Sequence, residues 1–242
     1  MIDWHNHILP GVDDGSRNVA ESISMIQALS SQGIKTVIAT PHFYANDESV
    51  DSFLERRAAA LELLKTQLPP EAPEILCGAE VRYYPGISHL EDLKKLRIEG
   101  SKLLLLEMNA ARWTEYTLRE LTELSRRSDI QIVLAHVERY LSLQRKAVWE
   151  ELLDCGILMQ CNASFFANWI SKHKAISLLR DGYIQFVGSD SHNMTSRPPQ
   201  LGKALAAIRK KLGDGDINQM NAYGYSKLTI SPKVTSARID NR

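Results

Sequence analysis

Cysteine is scarce in this chain: Cys77, Cys155 and Cys161 are the three in 242 residues, and no two of them form a CxxC pair. An odd number at such wide spacing excludes a disulfide framework and a zinc ribbon, so the three read as small core residues in a reducing compartment. An excess of charge of one sign is also missing, since 29 Lys and Arg stand against 29 Asp and Glu. No overall field draws the protein to nucleic acid or to an anionic membrane surface, and any function that uses charge must concentrate it locally. No apolar run approaches the ~20 residues of a membrane span. The opening MIDWH lacks the basic and apolar regions of a leader. The expectation is a cytoplasmic protein that inserts in no membrane. Repeats and low-complexity tracts are absent, and Pro69, Pro70 and Pro73 mark a loop, not a linker.

What the chain does have is alternation. Short runs rich in Ile, Leu and Val at 2–4, 36–39, 75–78, 103–107, 132–135, 158–161 and 186–188 alternate with helical periodicity at 19–32, 51–67, 117–127, 146–154, 171–180 and 200–212. This pattern predicts an α/β fold on a mostly parallel sheet. Gly33, Gly156, Gly182 and Gly213 end several of the helices, where a residue tolerant of positive φ is wanted. A single domain over 1–242 accommodates the whole pattern. Its last ~15 residues are polar and weakly patterned, which predicts a frayed or disordered end.

Metal-binding residue types gather at the carboxyl ends of the expected strands. His5, His7 and Asp14 follow the first, His42 the second, Glu80 the third, Glu107 the fourth, His136 the fifth, and Asp190 and His192 the last. In a closed parallel barrel these ends share one mouth. Singly, each has a commoner role: Asp13-Asp14-Gly15 is a turn, and Asp190-Ser191-His192 can cap a helix. The coincidence carries the argument, because five of the seven histidines occupy this one kind of position. His89 and His173 lie in charged helical surroundings and are assigned to the surface. Imidazole and carboxylate donors without thiolate suit Mn, Fe, Zn or Co. Nine donors exceed the needs of one ion and fit two or three, a cluster that acidifies bound water and clamps an oxyanion. Hydrolysis is the expected reaction. Arg139 and Arg197 each closely follow a candidate ligand. An average arginine is a surface ion pair, but beside such a cluster a planar guanidinium matches phosphate oxygens, so the pair points to a phosphoester.

These motifs resemble those of the bacterial protein-tyrosine phosphatases of the polymerase-and-histidinol-phosphatase (PHP) superfamily, the type found with exopolysaccharide and capsule operons of Gram-positive bacteria. The resemblance covers nearly the whole chain and rests on MIDWHNHILPGVDDG at 1–15, ATPH at 39–42, GAE at 78–80, AHVERY at 135–140, SDSHN at 189–193 and SRPP at 196–199. It implies a distorted seven-stranded TIM-like (β/α) barrel, a trinuclear site usually described with Mn, and hydrolysis of phosphotyrosine on the tail of a tyrosine autokinase. Carried over by position, it implies that His5, His7, Glu80 and Asp190 hold one ion, Glu80, Glu107 and His136 a second, and Asp14, His42 and His192 a third. Trp4 stands where an aliphatic residue is expected, a packing difference. Phe43 and Tyr84, with other rings on the strand-to-helix loops such as Tyr44 and Trp169, are expected to hold the substrate's aromatic ring. The main rival is a small-molecule phosphomonoesterase of the same superfamily acting on histidinol phosphate. An amidohydrolase is disfavoured because the sixth strand ends in Asn162-Ala163-Ser164, where that class places histidine. A cysteine-dependent phosphatase is excluded, since the positions six after each cysteine hold Tyr83, Cys161 and Ala167, never arginine.

Overall fold

A computed structural model describes residues 1–229. Most of the stretch expected to fray, 230–242, lies outside the described residues. In chain order the elements are β1 (Ile2–Asn6), α1 (Val19–Ser31), β2 (Thr36–Ala39), β3 (His42–Phe43), α2 (Val50–Lys65), β4 (Glu74–Cys77), β5 (Glu80–Arg82), β6 (Leu103–Glu107), α3 (Glu115–Ser125), β7 (Gln131–Leu134), α4 (Lys146–Asp154), β8 (Leu158–Asn162), α5 (Ala163–Ala167), α6 (Lys172–Arg180), β9 (Phe186–Gly188), α7 (Leu201–Lys211) and α8 (Asp214–Ser226). The fold is α/β, with every strand pair parallel, in two curled sheets ordered β1-β2-β4 and β3-β5-β6-β7-β8-β9.

Among the described residues nine strands stand where seven were expected. The two extra ones arise from breaks. Thr40-Pro41 separates β2 from β3, and Gly78-Ala79 separates β4 from β5. Pro41 has no N–H to donate, so the ladder cannot run through it unchanged. Register nevertheless continues across the gap: Ala39 faces Cys77 and His42 faces Glu80. The Gly78 N–H donates to Ala39 O at 2.8 Å and the Glu80 N–H to Pro41 O at 3.0 Å. Beyond the far end of the strand order, Ser191 bridges to Asn6, and the His7 N–H donates to Ser191 O at 3.0 Å.

Period-2 alternation sorts the strand residues between two apolar layers. Val37, Leu104, Leu106, Ile132 and Leu134 face outward against α-helical residues such as Met25, Leu29, Leu121 and Leu124. Ile2, Trp4, Ile38, Leu105, Val133 and Phe186 face inward onto one another. With both faces covered the strands read as nearly unbroken apolar runs, which is why they stand out in the sequence. Asn18, Ser49 and Thr114 accept from backbone N–H groups and cap α1, α2 and α3. Helix α8 was not expected. It lies across the amino-terminal end of the strands, where Gly224 packs so closely on Trp4 that a Cβ there would lie 2.7 Å from the indole ring. Trp4 in turn packs on Phe186 with ring centroids 4.3 Å apart.

Candidate metal centre

The opposite, carboxyl end of the strands is lined by polar side chains. Register slips by one residue between Asp3 and Asn6 of β1. That irregularity lets successive residues turn inward: Trp4 joins the apolar cluster and His5 the polar one, the re-aiming that a bulge provides. The chain then packs tightly around both histidines. A Cβ on Gly188 would lie 2.5 Å from His5 Cβ, and one on Gly15 would lie 2.3 Å from His7 O, so only glycine fits at either place.

Glu80 stands at the centre. Its Oε2 lies 3.1 Å from His5 Nε2, 3.2 Å from His7 Nε2 and 3.1 Å from His42 Nδ1, and its Oε1 lies 2.7 Å from His136 Nε2. Three groups have donor atoms mutually within 4.8 Å: His5, His7, Glu80 and Asp190; His7, Asp14, His42 and His192; and His42, Glu80 and Glu107. His136 adjoins the last group, 3.5 Å from Glu107 Oε1. All nine expected donors are thus in one cluster, eight of them buried or nearly so and Asp14 exposed. The donor set fits divalent ions on chemistry, being imidazole and carboxylate throughout. It also fits on satisfaction: His42 Nδ1 and His192 Nε2 are buried and make no hydrogen bond.

A second layer holds these donors, and most of it was not anticipated. His7 Nδ1 lies 2.6 Å from Asp13 Oδ2, which also accepts from the His42 N–H at 2.9 Å. In the sequence Asp13 is indistinguishable from an ordinary turn residue. His5 Nδ1 lies 3.2 Å from Gln160 Oε1, and that oxygen accepts from the His136 N–H at 2.7 Å. His136 Nδ1 is 3.2 Å from the Tyr140 hydroxyl, and Asn162 Nδ2 donates to Asp190 Oδ2 at 2.7 Å. Partners of this kind fix the tautomer and orientation of a ligand ring. Gln160 carried a signal that was available, a polar residue inside an apolar strand. His136 and Asp190, at φ 34° and 50°, are the non-glycine residues with positive φ among those described, and both belong to the cluster.

Without ions, the cluster neutralises itself with protons. Burial opposes charge on His7, but hydrogen bonds to Asp13, Asp190 and Glu80 outweigh it and raise its pKa well above the usual value. His5 is raised against the same burial by Glu80 and Asp190. Glu80 and Asp190 resist the upward push of burial because of His5 and their histidine hydrogen bonds, and both fall well below the carboxylate range. Asp13 falls to about 2 for the same reason, chiefly through His7. His192 goes the other way, pushed down to about 4 by burial and by the neighbouring His7.

Three guanidinium groups stand at the rim. Arg139 Nη2 and Arg197 Nη2 reach the same oxygen, Asp190 Oδ2, at 2.8 and 2.9 Å. Arg82 Nη1 pairs with Glu107 Oε2 at 2.7 Å. Arg82 was not anticipated, although it lies two residues past Glu80 on β5, on the same side of the pleat. The aromatic expectations need correction. Phe43 is buried, edge-on to Phe53 at 5.2 Å, because a strand that turns His42 toward the donors turns its neighbour away. Tyr84 packs on the outer apolar layer, and Trp169 stands 76% exposed. Tyr44 is the ring at the donors, stacked on His42 at 5.4 Å and 39% exposed.

Parallel strands delivering an imidazole and carboxylate cluster with arginines at its edge define a metal-dependent hydrolase on an α/β fold. More particularly, the chain belongs to the family described as capsular polysaccharide synthesis, CpsB/CapC, whose sequence model matches residues 1–228. It is 32% identical over 225 residues to the tyrosine-protein phosphatase YwqE of Bacillus subtilis (strain 168), covering 88% of this chain and 85% of that one. It is 33% identical over 235 residues to the tyrosine-protein phosphatase CpsB of Streptococcus pneumoniae, covering 88% and 91%. A solved structure from work on those two proteins, described as unique metal-dependent tyrosine phosphatases, superposes with a TM-score of 0.78 at 27% identity and covers 96% of each chain.

Proposed function

We propose that this chain is a metal-dependent protein-tyrosine phosphatase acting on the phosphotyrosyl tail of a tyrosine autokinase, and that it thereby regulates exopolysaccharide or capsule synthesis. The observation that carries this is the meeting of Arg139 and Arg197 on one oxygen of Asp190, at the edge of a cluster containing all nine donors. The names of the relatives support the same substrate. In this reading residues 1–242 form one cytoplasmic domain, and the free Cys77 and Cys161 in its core support that compartment. The two curled sheets together make the seven courses of a distorted barrel, β2 with β3 and β4 with β5 counting as one course each.

His5, His7, Asp14, His42, Glu80, Glu107, His136, Asp190 and His192 hold two or three divalent ions, Mn before Fe, Co or Zn. Bound ions supply charge neutralisation and a water acidified to a pKa of ~7. Arg139 and Arg197 bind the equatorial phosphoryl oxygens with paired donors and hold the group in line. Asp13 and Gln160 keep His7 and His5 in the tautomer that leaves Nε2 free. Tyr44, not Phe43 or Tyr84, offers a face to the substrate ring. The departing phenol has a pKa of ~10 and needs little protonation to leave.

The test is turnover by metal-stripped protein, reloaded one ion at a time, on matched phosphotyrosyl and phosphoseryl peptides and on histidinol phosphate. Preference for the phosphotyrosyl peptide with Mn is expected. Equal rates on both peptides, or preference for histidinol phosphate, would move the same site to a small-molecule phosphomonoesterase.

A further inference from the structure

Exposed apolar side chains and unpaired positive charge coincide at one place outside the metal centre. Trp169 and Ile170, consecutive residues between α5 and α6, are 76% and 71% exposed, the most exposed of the large hydrophobic residues described. Their backbone is pinned. The Asn168 N–H donates to Ser164 O at 3.0 Å, the Ile170 N–H to Asn168 Oδ1 at 2.9 Å and the Lys172 N–H to Asn168 O at 2.9 Å, while Ser171 Oγ donates to Phe165 O at 2.7 Å. A short turn held by these four hydrogen bonds therefore keeps both side chains out in water, where neither packs on the core.

Behind them lies the charge. Helices α6 and α7 carry seven Lys or Arg and no Asp or Glu, in a chain whose 29 basic and 29 acidic residues balance overall. Where the helices meet, Lys172, His173, Ile176, Ala207, Lys210 and Lys211 line a cavity of about 170 Å³. None of its three lysines forms an ion pair among the described residues. The acids just past the two helices are already engaged, Asp181 with Arg180 and Asp214 with Arg209.

We propose that this corner docks the protein on an anionic phospholipid surface, with Trp169 and Ile170 entering the headgroup layer and the α6–α7 lysines binding lipid phosphate. A tryptophan and an aliphatic side chain beside a lysine cluster form the pattern of an interfacial anchor, in which apolar burial and attraction to anionic lipid add together. Two protruding side chains that lead in the chain to Lys172 of the lysine-lined cavity make no broad apolar patch of the kind a protein partner covers. No described helix is long and apolar enough to cross a membrane, so the attachment is peripheral. Because α5 follows β8 directly, the anchor lies on the strand-to-helix side, and docking turns the donor cluster toward the bilayer.

The protein carries its own probe. Trp4, Trp113 and Trp149 are 3%, 8% and 5% exposed, so a change in indole emission on adding vesicles reports Trp169. With the full chain at low ionic strength, vesicles of phosphatidylglycerol and phosphatidylcholine are expected to shift emission to the blue and to co-sediment the protein. Pure phosphatidylcholine should do neither, and ~0.5 M salt should reverse both effects. Trp169→Phe should remove the optical signal but keep most of the sedimentation. Lys210→Glu with Lys211→Glu should lower partitioning about tenfold or more, with turnover of p-nitrophenyl phosphate unchanged. No blue shift and no sedimentation with anionic vesicles would overturn the proposal, as would equal binding to neutral ones. A shift produced by soluble polyglutamate without vesicle binding would also overturn it and reassign the corner to an acidic polypeptide. These wild-type measurements require neither a variant nor phosphatase activity.

Discussion

The two ends of the same strands differ in almost every physical respect. At the amino-terminal end, Trp4, Phe186, Ile38, Leu105 and their neighbours pack on one another under α8, and nothing in that packing needs a proton or an ion. At the carboxyl end, buried imidazoles and carboxylates crowd within hydrogen-bonding distance, and two non-glycine residues take positive φ. The first end gains from burial, at ~1.5–3 kcal/mol for each large apolar side chain. The second is tolerable only because opposite charges, and in the working protein bound ions, offset its desolvation. Stability is therefore concentrated where no chemistry occurs, and the reactive end is held in shape by the strands the two ends share.

Single substitutions can break that division. Glu80 touches four of the five clustered histidines, so Glu80→Ala should lower phosphatase activity by at least ~10³-fold. Metal content should fall with it, as read by elemental analysis alongside turnover. Full metal occupancy in this variant would mean that Glu80 is not a shared ligand. At the other end, Trp4→Ala should cost ~3–5 kcal/mol of folding stability by leaving a cavity under α8. Activity per folded molecule and metal content should stay within about twofold of wild type. Chemical denaturation measures the first and active-site titration the second, and a large loss of kcat at full folding would show that the ends are coupled. Arg139→Ala and Arg197→Ala are each expected to lower activity by ~10²-fold at normal metal content. Turnover near wild type in either would reduce that arginine to a partner of Asp190.

The difference between the ends also explains what could be read from the sequence. Strands and most helices were legible because burial on both faces leaves unbroken apolar runs, and because α3, α4, α6 and α7 keep a clean apolar stripe. Helix α8 was not, since its buried positions are Ile217 and Gly224 and a glycine against an indole leaves no hydrophobic pattern. The strands β3 and β5 have two and three residues, too few to show any period. Candidate donors were conspicuous because polar residues interrupt apolar strands only at one end. The second layer was legible in part: Gln160 breaks an apolar strand, but nothing local tells Asp13 from an ordinary turn residue. Phe43 follows from the pleat alone: with His42 turned inward, its strand neighbour belongs to the core.

The smallest expected effect separates the two ends by pH. In metal-free protein the raised pKa values of His5 and His7 mean that the folded state holds protons the unfolded chain releases near pH 6.5. Their contribution is complete below that value and is lost as pH climbs through the folded pKa values. Lowered histidines act in the opposite sense. His42, and His192 at about 4, resist protonation that the unfolded chain accepts, so they cost stability as pH falls below about 6.5. The depressed carboxylates Glu80, Asp190 and Asp13 contribute above about pH 4 and are lost only in stronger acid. Metal-free protein should therefore be most stable near neutrality and lose a few degrees of Tm toward about pH 8.5. On the proposed ligand set, bound ions would take the place of the protons on His5 and His7, and ligands compete better for metal as protons become scarce, so the loaded protein should escape that loss. The gap in Tm between Mn-loaded and stripped protein should thus widen from about pH 6.5 to 8.5. Trp4→Ala should lower both curves in parallel, since an indole has no proton to exchange in that range. Thermal melts of the four samples across pH decide it: a constant gap would mean that the polar cluster is not where the ions bind, and a pH-dependent Trp4 effect would mean that the apolar end is not independent of it.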